Sequence, residues 1–287
     1  AYAGRPEAVA EPVDPPPADV GLRPVVWELA QAARPSASIA PDGGDDAPGY
    51  GLHLLRVGAD RTRALKDGAR DGTTVNDLLV AALHLTVGRW NAHHGSPARR
   101  VSVLVPVNLR PRPRWRQGFA NLTFMVPVAT LPRHRASPAA AVDAVRRRTR
   151  TIKERRSPAA VAARLPRRQA LPVAARRRIA RGAADERLMP TALLSNLGPI
   201  GHDLDFGPAV GAPVHVWFSP PAKMPLGLAI GAVTVGEELH LVFRVRHPLL
   251  GPGARTRFAA SFQAALDELV DAGDRGGQRS VDGPRAA

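Results

Sequence analysis

The run RVSVLVPVNL, residues 100–109, constrains the fold more than any other stretch of the chain. It is a nearly continuous series of apolar, largely β-branched residues, the signature of a strand inside a sheet rather than at a solvated face. The segment just before it, TTVNDLLVAALHLTVGRW (73–90), carries the opposite periodicity. Thr74 and Asp77 stand three residues apart and form a capping box, in which two side chains satisfy free amides of a first helical turn. Val75, Leu78, Leu79, Ala82, Leu83, Thr86 and Trp90 then share one helical face. His84 lies about opposite, toward solvent or a neighbouring element. The helix stops in RWNAHHGSP (89–97), with Gly95 at the first position past the cap and Pro97 as a block. The adjacent His93 and His94 fall in its last turn. Charged histidines are favoured there by the helix dipole, by about 0.3–1 kcal/mol, which accounts for the pair without catalysis.

A helix beside a two-sided strand points to an α/β protein, and the rest of the chain agrees. YGLHLLRV (50–57) alternates as a strand and ADRTRALKDGARD (59–71) suits a short helix. NLTFMVPVATL (121–131) is another strand, reached through the loop RPRPRWRQGF. Residues 137–155 form a basic amphipathic helix, and 158–182 a helical region broken by Pro166 and Pro172. Four strands are expected after residue 191: TALLSNLG, APVHVWFSP, PLGLAIGAVTV and ELHLVFRVRH. The last two meet in a hairpin across Gly236 and Glu237. Gly227, Ala229 and Gly231 give the third a bare face that admits another backbone or a ligand. A final helix spans about 253–271. The expected fold is a mixed β-sheet flanked by helices. Residues 1–48 read as a Pro/Gly-rich linker in which only Leu22 to Ala33 can form a helix and little surface can be buried. The ordered unit runs over 49–272, and 273–287 form a flexible tail.

Composition removes several functions. The 287 residues contain no cysteine, which excludes disulfides, thiolate nucleophiles and Cys-ligated zinc and fits a cytoplasmic protein. No apolar run is long enough for a transmembrane segment. The net charge of +15 raises nucleic acid as a partner. The densest basic stretch, residues 164–181, has no interleaved aromatic residue for base stacking, so nucleic acid ranks last. No phosphate loop, dinucleotide fingerprint, nucleophile elbow or His-Glu-x-x-His motif is present, and no metal site is expected from the histidine spacing. Polar residues do stand where apolar ones are expected: Asn108 and Arg110 at the end of the 100–109 strand, Asn121 at the start of the next, and Ser195 and Asn196 inside TALLSNLG. Each needs a partner or costs on the order of 1–3 kcal/mol when buried. They are either a structural network or the wall of a substrate channel.

At these residues the chain resembles a known superfamily. TTVNDLLVAALHLTVGRW, VSVLVPVNLRP, GFANLTFMVPV, ALLSNLG and PLGLAIGAVTVGEELHLVFRVRHPLL follow in the order of the second half of a condensation-domain-like acyltransferase. That group includes nonribosomal peptide condensation domains, wax ester synthase/diacylglycerol acyltransferases and polyketide-associated acyltransferases, on the two-lobed chloramphenicol-acetyltransferase-like fold. The resemblance implies one lobe of that fold and transfer of an acyl group from an acyl-CoA or acyl-carrier-protein thioester, the donor substrate, to an alcohol or amine. It implies no bound cofactor. It places Ser195 and Asn196 near the tunnel between lobes, with Asn108, Arg110 and Asn121 bracing the strands behind. The family's His-His-x-x-x-Asp-Gly motif, whose second histidine acts as general base, is absent from this sequence. HHGSPAR (93–99) fails at the Asp-Gly and lies after the capped helix. No residue here is therefore expected to be catalytic, and the expected partner is a first lobe on the same or another chain. The alternative is a non-catalytic binding or scaffold relative. A lone lobe is also expected to self-associate through the surface its partner would cover.

Overall fold

The structure is a computed structural model that describes residues 21–70, 72–109, 122–162, 172–174, 176–177, 181, 188–200, 206–221 and 225–281. Arg110, Asn121, the intervening loop and most of residues 163–187 lie outside the described residues.

The run that led the sequence reading forms β2 (Val101–Asn108), well inside a six-stranded sheet. Its companions are β1 (Tyr50–Val57), β3 (Thr123–Thr130), β4 (Ala192–Ile200), β5 (Leu228–Val235) and β6 (Glu238–Arg246). The sheet order is β1-β6-β5-β4-β2-β3. β4 runs parallel to both β2 and β5, and the other pairs are antiparallel, so the sheet is mixed. The helices are α1 (Leu22–Ala32), α2 (Ala59–Gly68), α3 (Val75–His93), α4 (Pro138–Arg155), α5 (Ser157–Ala162) and α6 (Pro252–Val281). The backbone of α6 continues as helix ten residues beyond the expected end.

Alternate residues of every strand point to one face and pack there against α3, α4 and α6. Val103 and Val105 of β2, Leu194 of β4, Ile230 of β5 and Phe243 of β6 join Leu79, Leu83, Phe258 and Phe262 in a single core. α3 lies between β2, α4 and α6 and is buried all round from Asp77 to Val87. His84 accordingly meets a neighbouring element rather than solvent. Its Nδ1 pairs with Thr130 Oγ1 of β3 at 2.8 Å, and the side chain is fully buried. Both ends of α3 are as read from sequence. Thr74 and Asp77 close a reciprocal capping box, and Gly95 takes the left-handed φ of +66° that terminates the helix.

Two expectations change. APVHVWFSP is not a strand: residues 212–220 form no ladder. The segment lies instead on the sheet face away from the helices, with the Phe218 carbonyl against Gly231 of β5 and the Arg244 guanidinium reaching the Pro220 carbonyl at 3.5 Å. Pro213 and Pro220 have no N–H for a ladder, and the bare face of β5 lets the backbone in.

The second change concerns the segment read as able to bury little. The backbone at Ser38 and Ala40 is threaded onto α3: Asn91 accepts from Ala40 N at 2.9 Å and donates to Ser38 O at 2.8 Å, and Trp90 Nε1 donates to Ala40 O at 2.9 Å. Ile39 is buried in the main core. Further back, Glu28 of α1 is 3% exposed and receives both arms of the Arg148 guanidinium, at 2.7 and 3.2 Å, and the Ser157 hydroxyl at 2.6 Å. One ion pair thus ties α1 to α4 and α5.

Candidate functional site

The C-terminal half of β2 leads into an open cavity of about 820 Å³. β2 and β3 supply its floor through Val105, Val107, Val126 and Val128. Ile152 of α4 and Pro158 and Ala159 of α5 form one side, and the N-terminus of α3, at Thr74 and Asn76, forms the other. The fold produces this space because α4 ends at Arg156, which adopts a left-handed φ of +47° and turns the chain into α5. A non-glycine residue in that region is strained by about 1 kcal/mol or more. The lining is apolar at its base and cationic at its rim, where Lys153 and Arg156 are both exposed.

Asp77 also reaches the wall, yet its carboxylate is fully engaged. Oδ2 accepts from Thr74 N at 2.9 Å and from Thr74 Oγ1 at 2.7 Å, and Oδ1 accepts from Thr149 Oγ1 at 2.8 Å. A carboxylate held by three donors fixes α3 and α4 against each other. Among the described lining residues there is no histidine.

Asn108, exposed at the end of β2, lines this cavity. Ser195 and Asn196 do not. Alternation along β4 sends them to opposite faces: Ser195 is buried opposite Gly231 on the face away from the main core, and Asn196 uses Oδ1 to accept from Gly198 N at 2.9 Å. Arg110 and Asn121 are outside the described residues. His93 is exposed, while His94 stacks on Trp90 with ring centroids 4.4 Å apart and bonds the Trp90 carbonyl at 2.8 Å. Neither lines the cavity, in keeping with a helix terminus.

Lys153, Arg156, Thr149 and Val107 were not singled out from sequence. Lys153 left one signal, as one of only three lysines among 40 basic residues. The others face the cavity only because α4 packs across β2 and β3.

No family model matches the chain. Two uncharacterised proteins of Mycobacterium tuberculosis are each 30% identical to it over 284 residues, with 93% of this chain and 66% of each relative covered. The chain thus spans just under two thirds of their length. Among solved structures, the epimerization domain of tyrocidine synthetase B matches 88% of this chain and 56% of its own, with a TM-score of 0.63 and 17% identity. The trichothecene 15-O-acetyltransferase of Fusarium sporotrichioides matches 86% of this chain and 52% of its own, with a TM-score of 0.64 and 13% identity. A condensation domain for chain release from the enacyloxin polyketide synthase matches 91% and 47%, with a TM-score of 0.55 and 19% identity. With its mixed six-stranded sheet and flanking helices, the chain has the condensation-domain-like acyltransferase fold.

Proposed function

We propose that this chain is the second lobe of a condensation-like acyltransferase that moves an acyl group from a CoA or carrier-protein thioester to an alcohol or amine. The observation that carries this reading is the cavity at the end of β2, with its valine floor and the cations Lys153 and Arg156 at its rim. A thioester donor has the same two-part chemistry: an apolar acyl chain carried on a pantetheine arm, and phosphate at the far end. Apolar walls bury the arm, and the two cations attract phosphate.

The missing component is a base to take the acceptor's proton as it attacks the thioester carbonyl. His-His-x-x-x-Asp-Gly is absent from this sequence. In this proposal a first lobe brings that histidine, and the cavity contributes donor binding rather than proton transfer. The test measures acyl transfer from acyl-CoA and from an acylated carrier protein, with this chain alone and with a first lobe supplied on the same or a separate chain. Turnover only with both lobes is expected. Full turnover by this chain alone would refute the split site, and no transfer from either donor by the two-lobed protein would refute the acyltransferase reading.

A further inference from the structure

His215, Glu238 and His240 converge on the face of the sheet opposite the helices, away from the cavity. Each offers a ligand atom, and these atoms lie within 4.8 Å of one another. Glu238 and His240 are two residues apart on β6, so they point to the same face. His215 comes from the segment that lies across that face.

His240 is the informative member. It is 1% exposed, and its buried Nε2 has no hydrogen-bond partner among the described residues. An unsatisfied buried ring nitrogen is costly and needs a reason. The ring is held on its other sides. Nδ1 pairs with the Val216 carbonyl at 3.1 Å, and Trp217 stacks on it with centroids 4.8 Å apart and planes 22° apart. Nδ1 lies nearer the Val216 carbonyl, at 3.1 Å, than the Val216 N–H, at 3.4 Å; with its proton donated to that carbonyl, the Nε2 lone pair is free and faces Glu238 Oε2 at 3.5 Å. Backbone-carbonyl support of one ring nitrogen is how proteins orient a metal-binding histidine.

We infer that these three side chains form a binding site for a divalent transition ion, with zinc as the best match. Two imidazoles and a carboxylate suit zinc. Bonds of about 2.1 Å in a tetrahedron set ligand atoms about 3.4 Å apart. The Glu238–His240 pair already has that separation. His215 is exposed, so it can close the remaining gap by rotating its side chain. Arg56 of β1 contacts Glu238 Oε2 at 3.6 Å, but its side chain is 54% exposed and can withdraw to water. Occupancy would pin the His215 segment to β6, making the ion a clasp between the segment and the sheet.

The test uses the 287-residue chain without an affinity tag, stripped of metal and titrated with zinc by calorimetry and with cobalt by visible absorption. The expected result is one equivalent bound, a tetrahedral cobalt spectrum, quenching of Trp217 by cobalt, and a rise in Tm with zinc. His215→Gln and Glu238→Gln, both outside the core, should keep the metal-free Tm and each weaken binding about tenfold or more. The double variant His93→Gln/His94→Gln should bind as the wild type does. Absence of binding by the wild type, wild-type affinity in His215→Gln, or loss of binding only in the His93/His94 variant would each overturn the proposal.

Discussion

Glu28 and Arg148 illustrate how much one buried pair can decide. Their side chains are 3% and 11% exposed, and Arg148 also donates to the Pro127 carbonyl at 3.1 Å and lies over Trp27 at 4.3 Å. Removing one partner leaves an uncompensated buried charge, so Arg148→Ala should lower unfolding stability by about 3–5 kcal/mol in urea. Replacing both with apolar residues of similar size should recover most of that loss, because the desolvation cost disappears with the charges. A second test at this scale is His84. Burial, reinforced by the nearby Arg135 charge, depresses its pKa from 6.5 to about 3. The native ring stays neutral where the unfolded ring binds a proton, so stability is full above pH 6.5 and falls as pH drops toward 3. The slope is about 1.4 kcal/mol per pH unit in that window. The unfolding free energy of the wild type, from urea titrations, should therefore fall relative to that of His84→Leu as the pH is lowered from 7 to 5; parallel curves would contradict the assignment.

At the scale of elements, what periodicity could encode was legible, and what tertiary contact decides was not. The β2 run and the Thr74–Asp77 box were read correctly because each signal is complete within a few residues. The pair Glu28–Arg148 spans 120 positions, so the helix at Leu22–Ala32 was legible but its docking onto α4 was not. Residues 212–220 show the same limit from the other side. Val214, Val216 and Phe218 alternate as a strand does, but alternation does not say whether a partner edge exists. The glycine pattern on β5 held the answer. A Cβ at Gly231 would collide with the Phe218 carbonyl, a backbone atom with little freedom to yield. Gly231→Ala should therefore cost about 1–3 kcal/mol by overpacking and free the segment for proteolysis near Trp217. The same change at Gly95, which has open space around it, should show only the strain of its left-handed φ and leave the segment protected. The cavity was the least legible feature, since its walls come from five elements; among the named candidates within the described residues, Asn108 marked it.

At the scale of the molecule, the two sheet faces are unequal. The helices cover one. The other carries the 212–220 segment and also Leu52 and Leu54 of β1, which are 58% and 49% exposed. Some of the basic side chains are used internally: Arg100 donates to the carbonyls of Gln31 and Arg34, and Arg135 to that of Thr130. That weakens the case for a nucleic-acid surface without removing the surplus. β3 is flanked by α1 and α5, whereas β1 has an open edge among the described residues. Self-association, predicted for a lobe whose partner is elsewhere, thus has two routes: the leucine face and the β1 edge. They can be separated. Leu52→Lys/Leu54→Lys removes the apolar face but keeps the strand's backbone edge, although charges nearby also discourage edge pairing. Arg56→Pro, at a position whose N–H points away from β6, blocks the edge but keeps both leucines. Light scattering over a concentration series should show oligomers in the wild type, monomer in the double lysine variant and oligomers in the proline variant, because exposed apolar area is the larger driving force. A wild type that stays monomeric throughout would mean that this face is tolerated in water and needs no covering lobe.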